Sequence, residues 1–269
     1  MKTLIIIKRF IAKIMVFFNY YINYPGLRFE TLEIKKRYTP DASLKTIICF
    51  GDSNTFGWNN RYMSSYPVLL EKKLKKLYTN TKVINCGIGG DTILDAYKRL
   101  ESDVLFFKPV IVIINFGFND LRLIKINRNN KIKKKSNLLY SVNNYYGSKI
   151  YREEFRYLFE NIIDKLQKNH IKVIVTGLYK VQKIKKGIFY TRRRDIVKLQ
   201  NEVYEELNEC IKNISVRKGI PFLDLWNNLN NYEKIKSHFQ KDGFHVGNEG
   251  YNLIAENLFR IMAENCFIK

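Results

Sequence analysis

Histidine is nearly absent from this chain. Three occur, His170, His238 and His245, so any imidazole chemistry must come from these. The four cysteines, Cys49, Cys86, Cys210 and Cys266, form no C-x-x-C pair, and their spacing supplies neither a zinc site nor a disulfide framework. Cys49 and Cys86 fall within apolar runs that read as strands, where buried reduced thiols are the ordinary state. The apolar N-terminal segment is too interrupted to cross a bilayer. Residues 4–24 carry Lys8, Arg9 and Lys13, and the uncharged remainder, 14–24, falls short of the roughly 20 residues a spanning helix needs. Neither the uninterrupted apolar centre nor the small-residue cleavage site of a secretory signal is evident before Pro25. Acidic residues are few: 25 Asp and Glu face 47 Lys and Arg, a formal charge of +22. Two phosphate-binding fingerprints are missing. Gly87-x-Gly89-Gly90 has Thr92 where G-x-G-x-x-G needs its third glycine, and no Lys follows Gly57 as a P-loop requires.

What is present suits a packed domain. Apolar residues make up 46% of the 269 and aromatics 14%, which excludes general disorder. The length fits one α/β domain, residues 41–269, behind an apolar and basic extension, 1–40. The positive charge favours anionic partners such as acidic lipid or polysaccharide. A general richness in Lys, Ile, Asn and Tyr is a second, compositional source of the same charge. No interleaving of aromatic and basic residues supports nucleic-acid recognition, and none is expected.

From Thr46 onward, short apolar runs alternate with helical periods. Strands are expected at 46–50, 82–86, 110–115, 171–176 and 221–225, and helices at 65–78, 92–100 and 151–169. A helix of about 20 residues is expected to end near Lys218, and another spans 248–263. The run 110–115, VIVIIN, is continuous and β-branched, as in a strand buried on both faces. Two basic stretches, about 122–147 and 180–194, read as loops. Strands separated by helices imply a three-layer α/β/α, flavodoxin-like fold with a parallel sheet of about five strands. In such a sheet the turns after the strands share one edge, where ligands bind.

Those turns carry chemistry. After the first strand comes Gly51-Asp52-Ser53-Asn54, after the second Gly87-Ile88-Gly89-Gly90-Asp91, and after the third Gly117-Phe118-Asn119-Asp120. Beyond the fifth comes Asp242-Gly243-Phe244-His245. Singly, each is an ordinary turn composition. Together they supply a hydroxyl, glycine amides, a side-chain amide and an Asp–His pair, the components of acyl transfer. His170 falls before the fourth strand, at the wrong end of the sheet. His245 follows Asp242 by three residues across a glycine, so a turn brings carboxylate and imidazole together and leaves one ring nitrogen free to take a proton. Ser53 is not in a G-x-S-x-G elbow and serves equally well as a helix N-cap on spacing alone. A metal set of His238, Asp242 and His245 has workable spacing but leaves the other three turns unexplained.

The four blocks in this order resemble the SGNH (GDSL-like lipase/esterase) hydrolase family over about residues 46–260. Phe50-Gly51-Asp52-Ser53-Asn54-Thr55 is similar to its nucleophile block, with Asn54 in place of the usual leucine. Gly90 stands at the position of the family's oxyanion glycine. Gly117-x-Asn119-Asp120 matches G-x-N-D, and Asp242-x-x-His245 matches D-x-x-H, with Val246 replacing a frequent proline. The resemblance implies a catalytic triad of Ser53, His245 and Asp242. It also implies an oxyanion hole from the Ser53 and Gly90 amides and the Asn119 side chain, with no metal or other cofactor. Asp52, Asn54, Asp91 and Asp120 are added as expected substrate contacts, although the place of Asp52 beside the serine suits holding the loop by backbone hydrogen bonds better than chemistry.

The expected activity is hydrolysis of an ester, an O-acyl group on a carbohydrate or lipid. An acyltransferase would use the same parts and differ in excluding water; a non-enzymatic binder of membranes or anionic polymers would use only the basic surface. Both basic stretches leave the catalytic edge, so an anionic substrate is expected. Residues 4–24 are expected either to touch a membrane surface peripherally or to pack on the domain as an ordinary amphipathic helix. The expected location is cytoplasmic or membrane-peripheral, with export or membrane anchoring through that segment as the alternative.

Overall fold

A computed structural model describes residues 43–58, 64–122, 124–125, 140–143, 146–150, 152–186, 189–191, 194–229 and 235–268. The extension 1–40, with the expected membrane contact at 4–24, lies outside the described residues, as do parts of both basic stretches.

The described strands are β1 (Lys45–Gly51), β2 (Thr81–Gly87), β3 (Ile111–Asn115), β4 (Ile124–Lys125), β5 (Tyr140–Asn143), β6 (Tyr146–Ser148), β7 (Lys172–Thr176), β8 (Ile184–Lys186), β9 (Phe189–Thr191) and β10 (Phe222–Leu223). Five form a parallel sheet in the order β10-β7-β3-β1-β2. All five residues of β3 are buried, as its unbroken apolar run requires. Gly51 pairs with Gly87 on one side and Asn115 on the other, so β1, β2 and β3 end level and their turns open on one edge. The chain passes from β1 outward to β2, then back across β1 to β3. That reversal opens a crevice above the C-terminal ends of β1 and β3.

The described α-helices are α1 (Ser53–Phe56), α2 (Tyr66–Leu74), α3 (Ile93–Asp103), α4 (Arg152–Lys168), α5 (Arg194–Arg217), α6 (Leu225–Asn228), α7 (Ile235–His238) and α8 (Asn248–Glu264). Right-handed crossovers in opposite directions put α2 and α3 on opposite faces of the sheet. Accordingly α2 packs with α8, while α3 packs with α4 and α4 with α5. The long helices α2, α3, α4, α5 and α8 each bury one stripe; α4 does so with Phe155, Leu158, Phe159, Ile162, Ile163 and Leu166. The α/β class and the five-stranded parallel sheet match the expectation from sequence.

Three details differ. The fifth strand is two residues long rather than 221–225, because the Asp224 carboxylate accepts from the Asn227 N–H and starts α6 at once. The last crossover helix runs 24 residues, from Arg194. The two basic stretches are not plain loops. β4, β5 and β6 form an antiparallel sheet, and β8 pairs with β9 as a hairpin. Backbone pairing holds these short strands, so they lack the long apolar alternation by which strands are read. Among the described residues, no helix is long and apolar enough to cross a membrane.

Candidate active site

β1 delivers its chain end directly into α1. The Asp52 carboxylate accepts from the Asn54 N–H at 2.8 Å and caps the helix, which makes Ser53 its first residue. The turn is tight. A Cβ on Gly51 would lie 2.0 Å from Thr55 Oγ1 and 2.7 Å from the Asn115 carbonyl oxygen, so any side chain there would push α1 off the strand end.

The base comes from the turn before α8. The Gln240 N–H donates to the His245 carbonyl at 2.9 Å, and Gly243 sits at φ 63°, in the left-handed region glycine favours. Asp242 Oδ1 accepts from the Phe244 and His245 N–H groups at 2.9 and 3.0 Å, which fixes its carboxylate plane. Its Oδ2 lies 2.6 Å from His245 Nδ1, and His245 Nε2 lies 3.1 Å from Ser53 Oγ. Ser53 and His245 are both about 6% exposed, so most water is excluded from this contact. Burial raises the Asp242 pKa. The hydrogen bond from His245, the imidazole charge and the two backbone N–H groups outweigh it, and the net value lies below the ordinary one. A carboxylate ionised in this way selects the Nδ1–H tautomer and turns the Nε2 lone pair toward the serine hydroxyl.

Gly90 holds φ 88° in the turn after β2, and the Ile88 N–H anchors that turn on the Gly51 carbonyl at 3.0 Å. The Asn119 amide donates to the Asp91 carbonyl at 3.0 Å and to Asp52 Oδ2 at 3.3 Å. Both its protons are therefore engaged, and the longer bond is the weaker.

The four residues expected as substrate contacts have protein partners. Asp52 is fully buried on Asn54 and Asn119; burial pushes its carboxyl up to about 7 against the lowering effect of the Asn54 N–H. Asp120, also fully buried, accepts from the Ile93 N–H at 2.7 Å through Oδ1, while its Oδ2 has no partner among the described residues. Burial, opposed by that N–H, pushes it up to about 8. Asn54 Oδ1 lies 2.6 Å from the Tyr179 hydroxyl, and Asp91 pairs with Arg99 at 2.7 Å. These side chains hold the loops together.

Trp58 escaped sequence reading. Its ring stacks on His245, with centroids 6.0 Å apart and planes 28° apart, and its carbonyl accepts from Gln240 Nε2 at 2.6 Å. The available signal was Gly57, whose φ of 93° ends α1 and returns the chain over the site. His170 lies exposed before β7, and His238 is buried with Nδ1 2.9 Å from the Leu229 carbonyl oxygen. Among the described residues no group of three or more His, Cys, Asp or Glu is placed to hold a metal.

A family model described as GDSL-like lipase/acylhydrolase matches residues 49–253. The chain is 27% identical over 191 residues to the lipoprotein YqeF of Bacillus subtilis, covering 67% of this chain and 70% of that protein. It is 30% identical over 82 residues to the esterase TesA of Pseudomonas aeruginosa, covering 30% and 41%. Among solved structures it resembles the lipase/acylhydrolase of Enterococcus faecalis, with TM-score 0.62, 24% identity, and coverage of 82% of this chain and 97% of that one.

Proposed function

The chain belongs to the GDSL-like lipase/acylhydrolase family and is an ester hydrolase; on that premise we propose that it cleaves an O-acyl ester through an acyl-serine formed on Ser53. The observation that carries this reading is the unbroken relay from Asp242 Oδ2 through the His245 ring to Ser53 Oγ, with steps of 2.6 and 3.1 Å.

Ser53 Oγ attacks the acyl carbon as His245 Nε2 takes its proton, and Asp242 stabilises the imidazolium. The carbonyl oxygen becomes an oxyanion that accepts from the Ser53 and Gly90 N–H groups and the Asn119 amide. Each such donor contributes about 3 kcal/mol to barrier lowering. For Asn119 the oxyanion replaces Asp52 Oδ2, the more distant of its two acceptors. As the tetrahedral centre collapses, His245 returns its proton to the departing alkoxide. Water then attacks the acyl-serine with His245 again as base, releasing the acid and restoring the Ser53 hydroxyl.

The substrate is an acyl group carried on an anionic carbohydrate or lipid. Support comes from the cations beside the catalytic turn: the Arg122 guanidinium lies 5.2 Å over the Phe244 ring, and Lys183 Nζ bonds the Lys241 carbonyl. The basic, apolar segment 4–24 and a relative described as a lipoprotein favour a membrane-associated enzyme. The test is a panel of p-nitrophenyl esters and acetylated sugars, neutral and anionic, at low and physiological salt, with Ser53→Ala as blank. Hydrolysis lost in the blank, and faster on anionic esters at low salt, is expected. Unchanged turnover in the blank would remove the serine from the mechanism.

A further inference from the structure

We propose that Arg99, on α3 and outside the four blocks, is the positioning residue that assembles the oxyanion pocket around Ser53. The inference rests on the acyl-serine reading above and adds a residue to it.

The Arg99 side chain is only 12% exposed, and all three of its guanidinium nitrogens donate hydrogen bonds. Nε donates to Asp91 Oδ2 at 2.7 Å, Nη1 to the Cys86 carbonyl at 2.9 Å, and Nη2 to the Gly51 carbonyl at 3.1 Å. A longer contact of 3.4 Å reaches Asp103 Oδ2. The cation lies 4.5 Å over the Phe50 ring. These partners are not scattered. Gly51 ends β1, two residues before Ser53. Cys86 is the penultimate residue of β2. Asp91 follows Gly90, whose N–H is one proposed donor, and the Asp91 carbonyl is held by Asn119, which supplies another. One planar fork therefore ties the nucleophile's strand, the glycine turn and, through Asp91, the asparagine after β3.

The parallel strands stop at this level, and carbonyls at their ends face Arg99: the Gly51 carbonyl accepts from its guanidinium as well as from the Ile88 N–H, and the Cys86 carbonyl accepts from it too. Arginine suits the task because its donors are rigidly spread in a plane; a lysine ammonium is a single point charge and cannot span all three acceptors at once. Loss of the fork leaves fold and substrate surface in place and lets the Gly90 turn drift relative to Ser53. Misplacement of about 1 Å at a reacting centre costs up to about a hundredfold in rate. An interaction made mainly in the transition state shows in kcat rather than KM.

The experiment measures kcat, KM and melting temperature on p-nitrophenyl acetate for wild type, Arg99→Lys, Arg99→Ala, Asp91→Ala and the Arg99→Lys/Asp91→Ala double variant, with Ser53→Ala as control. The expected result is a kcat lower by roughly ten- to a hundredfold in each single variant, with KM within about twofold. The double variant is no slower than the slower single, since both break one linkage. Guanidinium chloride, added far below denaturing concentration, restores part of the turnover of Arg99→Ala. A folded Arg99→Lys enzyme with near wild-type kcat overturns the proposal. If that variant does not fold, Asp91→Ala with near wild-type kcat overturns it instead. Turnover surviving in Ser53→Ala is a different failure, that of the acyl-serine reading.

Discussion

Replacing Asp242 by asparagine isolates the carboxylate's part in the relay, and the surrounding hydrogen bonds dictate how the new amide sits. Asp242 Oδ1 accepts from two backbone N–H groups, those of Phe244 and His245. An asparagine oxygen fits there; an amide NH2 does not. The NH2 is thereby forced against His245 Nδ1, where it can only donate. The ring then carries its proton on Nε2, facing Ser53 with a donor where a base is required. Flipping the amide restores the correct tautomer but gives up two hydrogen bonds, about 1 kcal/mol each, so the wrong tautomer dominates by roughly thirtyfold. The lost carboxylate charge beside the imidazolium adds about 4 kcal/mol at an effective dielectric near 20. The sum, about 6 kcal/mol, corresponds to a kcat lower by about 10⁴. The assay is steady-state hydrolysis of p-nitrophenyl acetate, alongside a thermal melt. Little change in melting temperature is expected, because the asparagine oxygen keeps both backbone bonds. An Asp242→Asn enzyme within tenfold of wild type would refute the tautomer argument.

Three further outcomes follow from the same geometry. Asn119→Ala should lower kcat by about a hundredfold with KM nearly constant, because the amide acts on the developing oxyanion; a matching rise in KM with kcat unchanged would assign it to ground-state binding. Trp58→Ala should reduce kcat/KM roughly three- to tenfold by removing the ring stacked on His245, while Trp58→Phe retains most of it; equal losses in both would point away from stacking. Asp120 governs a pH effect on stability. Its carboxyl is pushed up to about 8, above its unfolded value near 4, so its contribution is complete below about pH 4 and is lost as pH rises through 8. Asp120→Asn keeps the acceptor for the Ile93 N–H and cannot ionise. Its melting temperature should therefore fall less than that of wild type between pH 5 and pH 9, and equal slopes would contradict the assignment. Asp52 shifts in the same direction and continues to contribute in the variant.

Much of the architecture is legible in the chain because the sheet is buried on both faces. Runs such as 110–115 have no polar alternative, and the first three strands stop at Gly51, Gly87 and Asn115, where the turns that carry the site begin. The placement of Ser53, Gly90, Asn119 and Asp242–His245 at one edge follows from parallel topology, which requires the strand C-termini to point the same way. What spacing did not disclose was direction. Asn54 and Asp120 stand beside reactive positions in the chain, yet their side chains turn inward to meet Tyr179 and receive the first N–H of α3, whereas Asp52 holds its loop through a backbone N–H as its position suggested. Arg99 was invisible for a related reason. On an amphipathic helix an arginine reads as part of the solvated face, and only the level ends of β1 and β2 supply the carbonyls that draw it inward. Trp58 is set by a left-handed turn at Gly57, which local propensity does not reveal. The short antiparallel strands in the basic stretches depend on backbone pairing between segments, a non-local property.

Intact-mass analysis after reaction with a p-nitrophenyl alkylphosphonate tests the central chemistry most directly. One adduct per chain is expected, mapped to the peptide containing Ser53, absent in Ser53→Ala and formed at least a hundredfold more slowly in His245→Ala. An adduct on any other residue, or ester hydrolysis that continues after Ser53 is fully labelled, would contradict the account.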